Sequence, residues 1–468
     1  MKNTHTENLQ YVTFLAFIAA WGGFLFGYDA AVISGAISQV TFQFALQEIE
    51  VGWFVSSALV GSVIGAAVAG AMSDKLGRKI TMVISAVLFF VSGIGCAFST
   101  TFTLLVISRM LGGIGIGIVS IVCPIYISEI SVAASRGRMV SMYQLAVTIG
   151  FSGAYLINYY LLGFSHGFSS SNEWMLRIFH TEVWRAMLGA EAIQAFIFIL
   201  VVFLLPESPR WLIVKARESD AEKTLTKIYR DTEKVKFQVS ETREMIQGEE
   251  KKDWRLLLEP WIFRAVLIGS AIAILGQFMG VNAVLYYGPT IFERNGLSSG
   301  DSLFYQSLIG VVNVVTTIIA MFIIDKVGRK KLVYFGVTGM ILMLLLIGVY
   351  FMKGADMGIP SVFLLIFFLL YIFFCAISIS AVIFVFLSEM YPAKVRGMAM
   401  SIAGLSLWIG TFLIGQLTPW FLSTLKPAGT FFMFAAMCVP YMLIVWKLMP
   451  ETAGKSLEDI ERFWKSKF

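Results

Sequence analysis

The chain has 468 residues, of which 57% are hydrophobic and only 14% are charged. Soluble domains carry nearer a quarter charged residues, so this composition excludes an ordinary soluble protein and indicates an integral membrane protein. The formal net charge is +6, but no basic face with interleaved aromatic residues accompanies it, and nucleic acid is therefore not an expected partner.

Apolar runs of about 20 residues, the length that a helix needs to cross a bilayer, recur along the whole chain. Twelve can be placed, in two sets of six. They cover residues 10–34, 51–72, 80–99, 102–124, 139–163 and 183–205, and then 261–291, 304–324, 332–351, 361–388, 398–421 and 428–449. Between the sets lies a sustained polar stretch, in which Ser219 and Glu222 match the capping-box pattern of a helix start. We therefore predict an all-α membrane protein with a six-helix bundle in 1–205, a cytoplasmic linker with short helices in 206–255, and a second six-helix bundle with a short tail in 256–468.

The basic residues lie on one side of the predicted spans. The loops after the second, fourth, eighth and tenth spans each carry lysine or arginine, whereas residues 34–50 contain neither. Because basic loops are retained in the cytoplasm, both termini and the linker are predicted to be cytoplasmic. The expected location is the plasma membrane, which is the inner membrane in a bacterium, and the lipid bilayer is the expected surrounding.

Three motifs occur twice at nearly one period. The segment Asp74–Lys79 recurs 251 residues later as Asp325–Lys330, the Ser-Glu and Arg-Gly pairs of 128–137 recur 260 residues later, and Pro206-Glu207 recurs 244 residues later as Pro450-Glu451. Such a repeat indicates two homologous six-helix halves related by an axis along the membrane normal. This arrangement suits a solute pathway between the halves, with each half rocking against the other.

The seventh apolar run contains polar side chains that have no favourable place in hydrocarbon. Gln277, Asn282 and Tyr286 lie within it, and Gly280 and Pro289 weaken helical hydrogen bonding on either side of Asn282. A broken helix at membrane depth is tolerated where it faces protein or a water-filled cavity. These side chains predict either contacts that hold helices together or, as the rest of the sequence favours, the polar lining of a site for a neutral, hydroxyl-rich solute.

A carboxyl group also lies deep in the first span. Asp29 in a membrane needs a partner, and Arg109 in the fourth span is the best candidate. A pair of this kind whose separation changes between two states could take up and release a proton. A static buried salt bridge is the alternative.

Together these motifs resemble those of the sugar porters of the major facilitator superfamily, which include bacterial sugar–proton symporters and animal glucose facilitators. The resemblance extends from about Gly22 to Glu461 and rests on the repeated motifs, on Pro206–Trp211 and on Gln277–Tyr287. It implies the major facilitator fold, in which two pseudo-symmetric bundles enclose a sugar site. By position it implies that the site is lined by Gln144, Gln277, Asn282, Asn313, Trp408, Phe26, Tyr286 and Phe384. Since symporters of this family keep an aspartate at Asp29, it also implies coupling to protons.

The duplicated cytoplasmic motifs predict a latch, by which we mean a set of arginine–glutamate pairs that form when the cytoplasmic side is shut. Each half brings arginines and glutamates to the same face of the membrane, and arginine suits multidentate pairing with carboxylates. If these residues pair when the cytoplasmic side is shut, they stabilise the state that is open to the outside. A solvated cluster of charges is the alternative. The residues concerned are Arg78, Glu129, Arg136, Glu207, Arg329, Glu389, Arg396 and Glu451.

The chain departs from the family pattern at several site positions. The family usually has two glutamines where this chain has Gly276-Gln277, and Ser380–Phe384 replaces a Gly-Pro-x-x-Trp pattern. The site is therefore expected to be less polar than a glucose or xylose site and differently shaped, and fructose, another pentose or a polyol are all open as substrates.

We thus expect a secondary active transporter that moves a monosaccharide or polyol by alternating access, together with a proton. A facilitative uniporter and a non-transporting sugar sensor are the alternatives. No nucleophile, metal cluster or cofactor loop is found, and the four cysteines stand alone in apolar runs, so we expect no enzyme activity, metal or cofactor. A monomer is the expected assembly.

Overall fold

The structure is a computed structural model that describes residues 7–132, 135–247, 254–354, 356–392, 395–452, 459–460 and 462–464. Within these residues the fold is helical and contains no strand. Twelve helical stretches of the described chain are long and apolar enough to cross a membrane. The predicted all-α fold with twelve spans is therefore confirmed.

The first six spans are separate continuous helices. They are α1 (Leu9–Phe44), α2 (Glu48–Leu76), α3 (Arg78–Phe98), α4 (Phe102–Ile130), α5 (Arg136–Ser165) and, after the short α6 (Glu173–Leu176), α7 (Trp184–Val202). Several of these helices continue well past the apolar runs that predicted them. Hydropathy marks only the part of a helix suited to lipid, whereas backbone hydrogen bonding continues until a cap or a break ends the helix.

The second set of spans contains three composite ones. The seventh is formed by α11 (Pro260–Phe278) and α12 (Val281–Arg294), and the ninth by α14 (Arg329–Val349) followed by a π-helical turn (Tyr350–Gly354). The tenth is formed by α15 (Ser361–Cys375), a π-helical turn (Ala376–Ser380) and α16 (Ala381–Met390). The others are α13 (Ser299–Val327), α17 (Arg396–Thr424) and α18 (Lys426–Lys447).

The chain forms two compact units. The first contains residues within 1–32, 60–154 and 168–251, and the second contains residues within 33–59, 155–167 and 252–468. In the first unit α3 packs against α4 and α7, and in the second α14 packs against α15 and α18. The third helix of each half therefore has equivalent neighbours, as the repeat predicts. We call the end of each helix that lies away from the basic loops its far end, and the corresponding side of the protein the far end. The far ends of α1, α2 and α5 belong to the second unit.

The linker contains three short helices that pack on one another, α8 (Pro209–Val214), α9 (Glu218–Tyr229) and α10 (Thr232–Gln247). Their apolar faces bury a cluster formed by Leu212, Ile213, Ala221, Leu225, Val235 and Val239. The capping-box prediction was wrong, because α9 begins at Glu218 after Arg217 and has no side-chain cap, which places Ser219 inside the first turn. The linker also meets the start of α1, where the Asn8 backbone N–H donates to the Ile228 carbonyl at 2.7 Å.

Candidate functional site

The seventh span is broken in the middle of its apolar run. α11 ends at Phe278, α12 starts at Val281, and Gly280 between them has a φ of +91°. A Cβ at Gly280 would lie 2.4 Å from the Phe434 ring, so both the backbone conformation and the space require glycine. The Tyr371 hydroxyl donates to the Met279 carbonyl at 2.8 Å and satisfies a polar group that the break releases.

The two amides predicted on this span are brought together across the break. Asn282 Nδ2 donates to Gln277 Oε1 at 2.6 Å. Gln277 also packs against α17, where a Cβ built on Gly410 would lie 3.1 Å from the Gln277 Cγ. Each amide keeps further donors and acceptors, since a single hydrogen bond uses one group of each. Paired amides of this kind suit adjacent hydroxyl groups of a ligand.

Other predicted lining residues of the second unit lie on the same and neighbouring helices. Tyr286 is 5% exposed and lies one turn after Asn282 on α12. Trp408 is half-buried on α17, two residues before Gly410. Asn313 is half-buried on α13. The side chain of Phe384 lies outside the described part of the structure.

The remaining predicted lining residues belong to the first unit. Phe26 is half-buried on α1, and Gln144 is exposed on α5. The structure therefore divides the predicted sugar residues between two sets, with Gln277, Asn282 and Tyr286 clustered on the broken span.

The buried ion pair predicted in the first unit is present. Arg109 Nη1 contacts Asp29 Oδ1 and donates to the Asp29 backbone carbonyl at 3.3 Å. Asp29 is 0% and Arg109 2% exposed. A Cβ at Gly112 would lie 3.0 Å from Asp29 Oδ2, so the glycine that follows Arg109 on α4 leaves room for the carboxylate.

A second buried carboxyl group, which the sequence interpretation missed, joins this pair. Glu191 on α7 is 2% exposed and lies within electrostatic range of both Asp29 and Arg109. Its Oε1 atom has no hydrogen-bond partner among the described residues, and neither does Asp29 Oδ2. Glu191 falls inside the predicted sixth span, so the rule that selected Asp29, an ionisable group at membrane depth, would have selected it too.

Asp74, Arg78, Glu129 and Glu207 of the duplicated motifs form one ionic cluster in the first unit, at the end with the basic loops. The Arg78 guanidinium grips Glu129 through two bonds of 3.0 Å and also donates to Asp74 Oδ1 at 3.2 Å. Glu207 accepts from the backbone N–H groups of Arg78 at 2.9 Å and Lys79 at 3.3 Å. These are the first residues of α3, so the Glu207 carboxylate caps the positive end of that helix.

The second unit repeats this arrangement. Arg329 Nη2 donates to Glu389 Oε1 at 3.1 Å, and Glu451 accepts from the backbone N–H groups of Arg329 at 3.1 Å and Lys330 at 3.0 Å at the start of α14. Arg396 instead donates to the Tyr391 carbonyl at 3.3 Å.

Arg136 is exposed at the first residue of α5, and within the described residues it has no ion pair. Each cluster thus holds one arginine and two glutamates of its own half.

Comparison with known proteins identifies the family of this chain. The family model described as "Sugar (and other) transporter" matches residues 15–464. The chain is 35% identical to the arabinose-proton symporter of Bacillus subtilis (strain 168), over 98% of this chain and 97% of the relative. It is 33% identical to the D-xylose-proton symporter of Escherichia coli (strain K12), over 98% of this chain and 96% of that one.

Solved structures agree with this result. The inward-open structure of the xylose transporter XylE from E. coli matches with a TM-score of 0.83 and 31% identity, and the match covers 97% of this chain and all of that one. The relatives and the family model are those of membrane sugar transporters and not of enzymes. The chain belongs to the family of sugar (and other) transporters.

Proposed function

We propose that this protein is a secondary active transporter that moves a neutral monosaccharide or polyol together with a proton by alternating access. The sugar assignment is supported by Gln277 and Asn282, whose amides meet beside the break in the seventh span and offer both donors and acceptors to hydroxyl groups. Tyr286 on the same face of α12 supplies a flat wall for the apolar side of a sugar ring. The relatives are named for arabinose and xylose.

The observation that carries the proton assignment is the buried charge group of the first unit. Asp29 and Glu191 bring two carboxyl groups to one guanidinium, that of Arg109, and each of the three side chains is at most 2% exposed. A buried charge without a partner is costly, so two ionised carboxylates cannot both be balanced by one arginine. A bound proton supplies the missing positive charge, and a change in the contacts of Arg109 during the cycle releases it.

The orientation follows from the basic loops. We assign the end with these loops and the linker to the cytoplasm and the far ends of the helices to the outside, because lysine and arginine are retained inside. The ionic clusters around Arg78 and Arg329 then lie at the cytoplasmic end. They brace the loops of their own halves and change their contacts when that end opens and closes.

The test is transport by purified protein in sealed lipid vesicles. Labelled arabinose, xylose, glucose, galactose, fructose and a polyol are offered separately, with and without an imposed pH gradient. We expect at least one of them to accumulate above its equilibrium level when the gradient is present. A protonophore should then return it to equilibrium.

The other outcomes identify the alternatives. Uptake that reaches the same level with and without the gradient would identify a uniporter and reject proton coupling. Binding of a sugar without flux would identify a sensor and reject transport. The panel includes sugars beyond those in the names of the relatives because Gly276 leaves the pocket without one of the glutamines common in the family.

A further inference from the structure

A proline in the seventh span releases a backbone carbonyl. Pro289 lies inside α12. In an α-helix the N–H of each residue bonds to the carbonyl four residues earlier, and proline has no N–H, so the Leu285 carbonyl loses its helical partner. A buried carbonyl without a donor is costly. Side chains must therefore supply the hydrogen bonds.

Two buried side chains do so, and they come from different halves of the sequence. The Tyr155 hydroxyl on α5 donates to the Leu285 carbonyl at 2.7 Å. Gln306 Nε2 on α13 donates to the same carbonyl at 3.1 Å. Both side chains are 0% exposed. We call this arrangement, in which Tyr155 and Gln306 share the Leu285 carbonyl, the carbonyl clamp.

The glycine before the proline belongs to this arrangement. A Cβ at Gly288 would lie 1.9 Å from Gln306 Oε1, closer than real Cβ contacts come. Only glycine at this position lets the amide reach the carbonyl. Pro289 thus leaves the Leu285 carbonyl without its helical donor, and Gly288 leaves room for the Gln306 amide that donates to this carbonyl instead.

The clamp joins the first half of the chain to α12, and Tyr155, Leu285 and Gln306 all belong to the second compact unit. Residues of α5 up to Ala154 belong to the first unit, whereas Tyr155 and the far end of the helix belong to the second. α12 makes a second contact with the far end of α1, where the Ser38 hydroxyl donates to Glu293 Oε2 at 2.5 Å. That contact is only partly buried, so the Tyr155 bond is the enclosed one of the two.

The two donors have different fates when the far end opens. Under the proposed alternating access the two halves separate at the far end, so Tyr155, from the first half of the chain, would leave α12, whereas Gln306, in the same half as α12, would stay. A carbonyl oxygen has two lone pairs, so losing Tyr155 costs one hydrogen bond but leaves the acceptor satisfied by Gln306. The clamp is therefore built to release without stranding the Leu285 carbonyl.

We propose that Tyr155 and Gln306 are positioning residues of the transport cycle: they share the Leu285 carbonyl while the far end is closed, and Tyr155 releases it when that end opens. This inference rests on the proposed function, because α12 carries Asn282 and Tyr286 of the sugar site. Leu285 directly precedes Tyr286 in the chain, which places the clamp beside a residue of the proposed sugar site. Release of the clamp would then bring the sugar site into contact with the outside.

The two donors should have opposite effects on the balance between closed and open far ends. Replacing Tyr155 with phenylalanine keeps the ring but removes a bond that exists only in the closed state, so the open state is favoured. Replacing Gln306 with methionine leaves the carbonyl without a protein donor in the open state only, so the closed state is favoured. One net hydrogen bond corresponds to a change of about two- to tenfold in such an equilibrium.

The test measures opening of the far end without any sugar. The four native cysteines are buried, so background labelling is low. Leu59→Cys provides a reporter, because Leu59 on α2 is 5% exposed and lies against Gly415 at the far end of α17. The rate at which a membrane-impermeant maleimide labels this cysteine from outside reports the open fraction. Tyr155→Phe, Gln306→Met and a control variant are compared in this background.

The control is Tyr371→Phe. Tyr371 is equally buried and also donates to a carbonyl of the seventh span, that of Met279, but both residues lie in the second half of the chain. We expect labelling about two- to tenfold faster with Tyr155→Phe, slower with Gln306→Met and unchanged with Tyr371→Phe. Equal rates for the two tyrosine variants, or shifts of the same sign for Tyr155→Phe and Gln306→Met, would overturn the clamp. Because no sugar is used, this result stands apart from the vesicle uptake experiment, whose failure would reject the proposed function instead.

Discussion

The three buried ionisable side chains of the first unit allow the charge balance to be tested directly. Replacing Asp29 with asparagine or Glu191 with glutamine removes one carboxyl group and leaves Arg109 with one carboxylate within electrostatic range. The buried charge is then balanced in each single variant. The double variant removes both carboxyl groups and leaves the Arg109 guanidinium buried without a counter-charge.

The expected stabilities follow from this count. Removing every partner of a buried charge costs about 3–5 kcal/mol, so the double variant should lose about that much. Asp29→Asn breaks the direct contact with Arg109 but keeps Glu191 as a counter-charge, so its loss should approach that of one hydrogen bond to a charged group, about 1.5–3 kcal/mol. Glu191→Gln should change stability least, because the Asp29–Arg109 contact remains.

Two measurements check this reasoning. Thermal unfolding of the purified variants, followed by tryptophan fluorescence, should rank the double variant below Asp29→Asn and Asp29→Asn below Glu191→Gln. In vesicles, Asp29→Asn should abolish accumulation of the sugar but spare exchange across the membrane. Glu191→Gln should also lose accumulation, because Arg109 then balances the remaining Asp29 carboxylate and the group no longer needs a bound proton. A double variant as stable as Asp29→Asn would refute the charge balance, and accumulation by Asp29→Asn would refute its role in proton coupling.

Two further predictions concern a helix start and the sugar site. Gly77 and Gly328 have φ values of +96° and +93°, but an added Cβ would lie 2.2 Å from Glu207 at the first and 3.1 Å from Glu451 at the second. Both alanine variants should lose about 1–3 kcal/mol of unfolding free energy from backbone strain. Gly77→Ala should unfold at the lower temperature, because it also displaces Glu207 from the start of α3. Equal melting temperatures for the two variants would contradict this. Asn282→Ala should raise the sugar concentration for half-maximal uptake about threefold to tenfold without changing the accumulation ratio, and an unchanged half-maximal concentration would remove Asn282 from the sugar site.

The spans and the ion pair could be predicted because each rests on a rule that acts over the whole membrane. A run of apolar residues must cross the bilayer as a helix, since no other backbone arrangement of that length satisfies its polar groups there. An aspartate within such a run must find a positive partner, and this rule predicts the pairing of Asp29 with Arg109, 80 positions later in the sequence. Glu191 was missed although the same rule applies to it.

The contacts of the duplicated glutamates could not be predicted from their spacing. Their repeat places Glu207 and Glu451 near arginines, and pairing with guanidinium groups was the expected role. In the structure both carboxylates bind backbone N–H groups at the start of α3 and α14. Charge pairing and helix capping require the same residue type, and only the path of the chain decides between them.

The carbonyl clamp shows the same limit in another form. The sequence alone reveals that Pro289 deprives Leu285 of a helical partner, because the rule depends only on positions four residues apart. It does not reveal that Tyr155, 130 positions earlier, supplies the hydrogen bond. Unsatisfied backbone groups can thus be located from sequence, whereas their donors depend on tertiary packing.

A single helix connects the proposed proton site with the far end. α1 runs without interruption from Leu9 to Phe44 and carries both Asp29, which contacts Arg109, and Ser38, which bonds Glu293 on α12. Nine residues of α-helix span about 14 Å, and a continuous helix transmits a shift at one point to the other because its hydrogen-bonded backbone resists compression. We therefore expect a change in the Asp29–Arg109 contact, as the proton is released, to act on the same α12 segment to which Tyr155 of α5 donates. Under the proposed function the proton and the sugar would act on one element, α12 of the seventh span, which is the physical requirement for coupling the two.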